Sequence, residues 1–417
     1  MKKIHAWLTI LSLVFFLALG AAEKAAPPPL PPLPEQVPPY LQNPATDGMT
    51  VCFAARQAEA VRVFWGEEGT PGLTEAKATA TLIPKTPWTI WKVRLAGLKS
   101  GTAYGYQLQY RLNGQEKQEP RHIFRTLDAG AKTIRMAVFN DLHNNLPTLE
   151  QLARQIKPAD YDFSVLLGDC WTDPSAGDSA RTVFVCLDVY VRQLNASEKP
   201  MIFVRGNHET RGGFAGQMAC LFDLPNLDAA AKYADQNFQF DLQAGPVWFV
   251  AMDCGEDGEK RPEVFQPYRE RQLAWLKKRL AAPADDKTSW RVLISHLPIY
   301  SNQLWGNSEP ARQMWEPTLS KAGFALALGA HDHGWKLLPK DRPMTITEEI
   351  RDLNKKVIDK KTWTMTPPYP VLIGGGPSPK QGTVMLFEAT SSSLHTRLLN
   401  TDGKQLAEVK LEKETGK

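Results

Sequence analysis

A chain of 417 residues is too long for one ordinary core, so two domains with additional segments are the starting expectation. Its 43% hydrophobic and 23% charged content excludes a disordered or membrane-filling protein. The formal net charge of +4, part of it from Lys2 and Lys3, gives no basis for specific nucleic-acid binding or for an anionic membrane, although charge local to a site can still attract an acidic substrate.

Lys2 and Lys3 precede an apolar run from Ile4 to Leu19, and Ala18-Leu19-Gly20-Ala21 supplies small residues suited to cleavage. The run falls short of the about 20 residues that span a bilayer. Residues 1–20 are therefore expected to be a signal peptide, which leaves an exported chain, periplasmic or secreted, with no transmembrane segment after cleavage. Residues 21–37 follow as a linker, because Pro27 to Pro34 is proline-rich, lacks backbone donors and reads as an extended spacer. The five cysteines, Cys52, Cys170, Cys186, Cys220 and Cys254, show no paired spacing and read as small buried hydrophobes, with one bridge permitted by export.

Residues 38–128 carry the period-2 pattern of strands. Val61, Val63 and Trp65 alternate, as do Trp91, Val93 and Leu95 against Ile90, Lys92 and Arg94, with turns at Asp47-Gly48, Gly69 to Gly72 and Asn113-Gly114. Short strands at this spacing predict a small all-β sandwich. Leu98 to Tyr106 resembles the corner of a fibronectin type III domain, where a tyrosine pins the turn before a strand. Pro39-Tyr40-Leu41-Gln42 resembles the opening of the N-terminal sandwich of purple acid phosphatases.

Beyond Ala129-Gly130 apolar runs alternate with amphipathic stretches, as in layered α/β domains. The runs are Ile134 to Phe139, Phe163 to Leu167, Met201 to Val204, Val247 to Met252, Val292 to Ile294 and Phe324 to Leu328. Helices are expected over Pro147–Ile156, Ala180–Leu194 and Tyr268–Leu280, the last with Leu273, Leu276 and Leu280 on one face. The basic segment Arg351 to Lys361 reads as a solvated helix face. Val371 to Gly376 reads as a strand and turn, and Thr383 to Glu388 and Ser393 to Leu399 as closing strands. Trp305, Trp315, Trp335 and Trp363 are candidates for a pocket wall, with packing of long insertions the plainer expectation.

Five of the six runs end on polar residues. They deliver Asp141 and His143, then Asp169, then Asn207, His208 and Glu209, then His296, then His331, Asp332 and His333. Ligand sites in open α/β sheets lie at the carboxyl ends of strands, so these deliveries converge if the strands are neighbours. Five of the eight histidines sit at these ends. Imidazole with carboxylate suits Zn, Fe, Mn or Co, whereas Ca and Mg prefer all-oxygen shells.

The order D-x-H, GD, GNH followed by an acid, a strand-end His and G-x-H-x-H resembles the calcineurin-like metallophosphoesterase superfamily. The resemblance implies a four-layer α/β/β/α domain over residues 132–412 and two divalent transition metal ions. Asp141, His143, Asp169 and His333 would hold one ion, and Asp169, Asn207, His296 and His331 the other, with Asp169 bridging. It implies hydrolysis of a phosphate ester, monoester or diester, by in-line attack of a metal-bridging hydroxide. His208 would protonate the leaving oxygen or stabilise its charge, and Glu209 and Asp332 would orient the histidines. The substrate would be a phosphorylated small molecule or a phosphodiester. Two positions depart from purple acid phosphatases: Thr172 stands where those enzymes have a metal-bound tyrosine, and His143 stands in a first motif that there lacks a ligand histidine. The departure implies a divalent pair without tyrosinate colour. The alternative of another class is an exported carbohydrate- or partner-binding protein whose phosphoesterase domain is structural.

Overall fold

The computed structural model describes residues 30–227, 236–258, 260–282, 288–301, 308–351 and 356–413. The expected signal peptide, the Pro27 to Pro29 part of the linker and Trp305 lie outside the described residues.

The N-terminal strands form two facing sheets. One holds Gln36–Gln42, Gly48–Arg56, Trp88–Ala96 and Thr79–Leu82; the other holds Thr74–Lys77, Ala58–Glu67, Ala103–Leu112 and Gln115–Gln118, with His122–Arg125 on Ala103–Leu112. Their inner faces enclose Val51, Phe53, Val61, Val63, Val93, Leu95 and Leu108. The corner is closed as its sequence suggests: the Lys99 amide donates to the Tyr104 hydroxyl at 2.9 Å.

The first sheet buries both faces at one end. Trp88 and Ile90, on the face opposite Val93 and Leu95, join the core of the following domain rather than that of the sandwich. The Trp88 ring stacks on Phe184 at 3.8 Å between centroids. Around it the Leu41 amide donates to Ala196 O (2.8 Å), and the Tyr40 and Tyr106 hydroxyls donate to Leu221 O and Ser197 O (both 2.7 Å). Strand periodicity alone assigned Ile90 to the outer face; the outer face is where the second domain docks.

The proline-rich stretch is likewise tied down where it is described. Leu30 and Leu33 pack on the main core, and Arg181 donates to the carbonyls of Leu30 and Pro31. This end is a strap across the helix Gly177–Gln193 rather than a free spacer.

The remainder builds two six-stranded sheets. The first runs Met201–Val204, Phe163–Leu167, Thr133–Phe139, Thr383–Thr390, Ser393–Asn400 and Gln405–Glu412; its first three strands are mutually parallel. The second runs Phe240–Ala244, Val247–Ala251, Trp290–Ile294, Leu326–Gly329, Val371–Ile373 and Lys336–Leu338, parallel through its four central strands. Phe249 bridges the sheets, 5.8 Å from the Phe163 ring and 5.4 Å from that of Phe387. Helices Leu146–Ala153 and Gly177–Gln193 cover the first sheet. Pro262–Ala281 and Glu309–Leu319 cover the second. The layers are therefore α/β/β/α. All five cysteines are free, and four of them are buried.

Three sequence expectations change. Within Arg351 to Lys361, Arg351 and residues 357–361 are strand rather than helix: Met344–Arg351 and Val357–Met365 pair antiparallel, with Thr345 facing Thr364 and Thr347 facing Thr362. The β-branched Val357 and Ile358 favour a strand there, and residues 352–355 lie outside the described residues. The third large helix begins at Pro262, because Pro267 is accommodated within its early turns rather than excluding the helix from them. Trp315 is fully buried in the second core and walls no pocket, whereas Trp335 is 42% exposed two residues beyond His333.

Trp88→Ala removes a fully buried indole from the junction of the domains. A cost of about 3–5 kcal/mol is expected, seen as a lower denaturation midpoint in urea; an unchanged midpoint would show that the sandwich docks without this contact.

Candidate metal centre

The five polar-ended strands bring their residues to one place, where the carboxyl edges of the two sheets meet. Short backbone bonds lace the loops together: Asp141 N to Gly168 O (3.1 Å), His143 N to Asp169 O (2.8 Å) and Ala330 N to His296 O (3.0 Å). The approach is close enough to require glycine. A Cβ on Gly206 would lie 2.3 Å from the Asp169 amide and carboxylate, and one on Gly168 would lie 2.5 Å from the His296 ring. Backbone strain concentrates here too. Asp141, His143, Asp169, His331 and His333 all have φ between 46° and 70°, a region that side chains with a Cβ rarely adopt.

The side chains form two groups that share Asp169. Donor atoms of Asp141, His143, Asp169 and His333 lie within 4.8 Å of one another, as do those of Asp169, His296 and His331. His143 Nε2 is 3.5 Å from Asp169 Oδ2 and 3.0 Å from His333 Nε2, and His296 Nε2 is 3.2 Å from Asp169 Oδ2. The Asn207 carboxamide oxygen faces the second group, at 3.2 Å from His296 Nε2, 3.3 Å from Asp169 Oδ2 and 2.9 Å from His331 Nδ1. These are acceptors facing an acceptor. Without a cation the amide gains by turning over, donating to the same three atoms while its oxygen accepts from Arg211 Nη2 at 2.9 Å. With a cation the oxygen is a ligand.

Other groups aim the ligand atoms. The His296 Nδ1 lies 2.9 Å from Leu167 O, so that nitrogen carries the proton and Nε2 turns its lone pair inward. Thr172 Oγ1 stands 3.1 Å from His143 Nδ1 and orients that ring. Asp141 Oδ2 accepts from Asn140 Nδ2 and from the His331 amide, both at 2.8 Å, while its Oδ1 is buried with no hydrogen-bond partner, as a metal-facing oxygen should be.

The electrostatics suit a cation. Burial works to lower the basicity of His296, but the Asp169 and Asp141 carboxylates overcome it and push the ring up to about 10. A proton on His296 thus answers carboxylate charge that a cation would otherwise answer. Burial raises and the His296 charge lowers the carboxyls of Asp141 and Asp169, and both settle below the ordinary range. Burial holds His143 down at about 4, a neutral ligand. Carboxylate, imidazole and carboxamide donors in two overlapping sets fit two divalent transition ions.

Glu209 and Asp332 do different work from that expected. Glu209 takes three backbone amides, from Asp169 (3.0 Å), Trp171 (3.0 Å) and Gly206 (2.9 Å), and so splices the two loops rather than holding a histidine ring. Burial, then the Asp169 charge, raises its carboxyl to about 7. Asp332 accepts from Ser301 (2.6 Å) and Lys336. His208 stands at the mouth, its ring 4.6 Å from that of His143. Its Nδ1 meets Asp173 Oδ1 at 2.8 Å and its Nε2 meets Arg211 Nη1 at 3.3 Å. Sequence reasoning missed Asp173 and Arg211, although both lie within four residues of a motif it used.

Residues 134–335 match the family model for the calcineurin-like phosphoesterase. The chain is 25% identical over 315 residues to purple acid phosphatase 21 of Arabidopsis thaliana, covering 73% of this chain and 62% of that protein. Purple acid phosphatase 22 of the same plant is 23% identical over 393 residues, covering 89% and 80%. Among solved structures, the purple acid phosphatase PPD1 of yellow lupin superposes with a TM-score of 0.67 at 17% identity, over 91% of this chain and 75% of its own. PhoD superposes at 0.60 and 11% identity, over 91% and 92%. Residues 134–335 are thus similar to calcineurin-like phosphoesterases, and the chain shares its overall fold with the lupin purple acid phosphatase PPD1 and with PhoD. The chain spans less than two thirds of the length of the first of these relatives.

Glu209→Ala orphans three buried amides at about 1–3 kcal/mol each. The metal-free protein is expected to lose denaturation midpoint accordingly; a midpoint equal to that of the unaltered chain would remove Glu209 from this role.

Proposed function

We propose that this chain hydrolyses phosphate esters, mono- or diesters, at two divalent transition ions (Mn, Fe, Zn or Co). The observation that carries the reading is the pair of donor sets sharing Asp169, with a histidine poised beside them that belongs to neither set. Asp141, His143, Asp169 and His333 would hold one ion; Asp169, Asn207, His296 and His331 would hold the other. Such ions would supply neutralisation of phosphoryl charge and a more acidic water at neutral pH.

The chain's own groups supply the rest. Leu167 O fixes the tautomer of His296, so that its Nε2 is the ligand atom, and Thr172 Oγ1 orients the His143 ring, whose Nε2 faces Asp169. His208 Nε2 is 3.9 Å from Asp169 Oδ2 and therefore overlooks both ion positions. Asp173 holds the opposite ring nitrogen, which leaves Nε2 to give a proton to the departing alcohol oxygen. Export by way of residues 1–20 belongs to the same proposal; among the described residues no helix is long and apolar enough to cross a membrane.

Two transition metals per chain, measured by mass spectrometry, and turnover of a generic phosphate mono- or diester are expected. Asp169→Asn should lose both. His208→Ala should keep the metals and lose about 10²-fold or more in kcat. Protein that stays inert after reconstitution with Mn, Zn, Co and Fe would favour a binding protein with a structural domain instead. Because position 172 is a threonine, the loaded protein should show no tyrosinate band in the visible; a band that survives removal of contaminating iron would overturn the divalent assignment.

A further inference from the structure

Of the six apolar runs, only Val247–Met252 delivers no member of the donor sets, and the loop after it is nonetheless acidic. Its Asp253 pairs with Arg205, at 2.7 Å and almost wholly buried, on one side of the Gly206-Asn207-His208 motif. Its Glu256 and Asp257 pair with Arg211 on the other side. The guanidinium is held at several points: Nε lies 3.0 Å from both Glu256 oxygens, and Nη2 reaches Glu256 Oε1 and, at 2.8 Å, Asp257 Oδ1. Arg261 Nη2 in turn pins Glu256 at 2.8 Å. A planar fork fixed at Nε and Nη2 cannot swing, so the direction of Nη1 is set, and it points at His208 Nε2 from 3.3 Å.

Nη1 is a donor only, so in this arrangement His208 Nε2 is the acceptor and Nδ1 carries the proton shared with Asp173. Nη1 and Nε2 both face the mouth 3.3 Å apart, so an oxygen seated at hydrogen-bond distance from one lies within reach of the other. We infer that Arg211 is a further catalytic residue, a second N–H donor to the leaving-group oxygen beside His208, aimed by Glu256 and Asp257. The inference rests on the phosphoesterase reading. It needs no change in what breaks: the P–O bond to the alcohol is cleaved, the electron pair leaves on oxygen, His208 supplies the proton, and Arg211 stabilises the charge before that proton arrives.

The consequence is a dependence on the leaving group. An alkyl oxygen leaves with more charge to stabilise than a para-nitrophenyl oxygen, so loss of a donor harms the alkyl ester more. Arg211→Ala is expected to lower kcat about 10²-fold on an alkyl phosphate and less than about tenfold on the para-nitrophenyl ester, with metal content unchanged. Arg211→Lys, which keeps a charge but loses the fork, should show the same inequality at smaller size, and it covers the case in which the alanine variant fails to fold. Equal losses on both esters, or losses that track missing metal, would make Arg211 a structural bracket and overturn the inference. Wild-type protein that binds no metal and turns over neither ester would instead sink the phosphoesterase reading, and this inference with it.

Discussion

Two fully buried carboxylates, Asp141 and Asp169, face the same small space, and the arrangement around them is a response to that charge. A buried carboxylate is costly unless it is paired or coordinates a cation. Here the hydrogen bonds are incomplete by construction: backbone amides and Asn140 satisfy the outer oxygens, while the inward Asp141 Oδ1 has no hydrogen-bond partner. The imidazoles do not answer the charge as a set: burial holds His143 neutral, while the carboxylates overcome burial and raise His296 and His333. Two ions would resolve the imbalance, and one of them would give the Asn207 oxygen, which faces only acceptors, a partner.

The fold is what makes this concentration tolerable. Left-handed backbone at five of the candidate donor positions, and glycines pressed against Asp169 and His296, are local costs that the two packed sheets must hold in place. Glu209 carries part of that burden by bonding amides from both the Gly168-Asp169 and Gly206-Asn207 loops. The sandwich adds to it from outside, because Trp88 and the hydroxyls of Tyr40 and Tyr106 grip the helix and loops that lead into those same motifs. An N-terminal module without a chemical group of its own thus bears on the site through packing.

The candidate donors are legible in the sequence because a strand that ends on Asp, Asn or His is a local pattern, and five strands place that pattern at one edge. What escaped was non-local. Asp173 and Arg211 sit on loops with no periodicity, and their importance comes from meeting His208 across the mouth. Glu256 follows a strand that supplies no ligand, so nothing in its own neighbourhood marks it. Ile90 was assigned to an exposed face because alternation reports only that a strand has two faces, not that a second domain will cover one. The basic residues of Arg351 to Lys361 suggest a helix face, whereas residues 357–361 pair as a strand with a segment, Met344–Arg351, whose partner the local sequence does not mark. Leu30 and Leu33 looked like spacer residues because proline-rich sequence carries no signal of what it lies against.

The central claim is the pair of ions about Asp169, and anomalous diffraction from crystals of the metal-loaded protein tests it most directly. Two peaks about 3.5–4 Å apart, flanking the Asp169 carboxylate with the Asn207 oxygen directed at one of them, are what this account predicts. A single peak, or density away from Asp169 with the Asn207 amide turned toward the histidines, would contradict it.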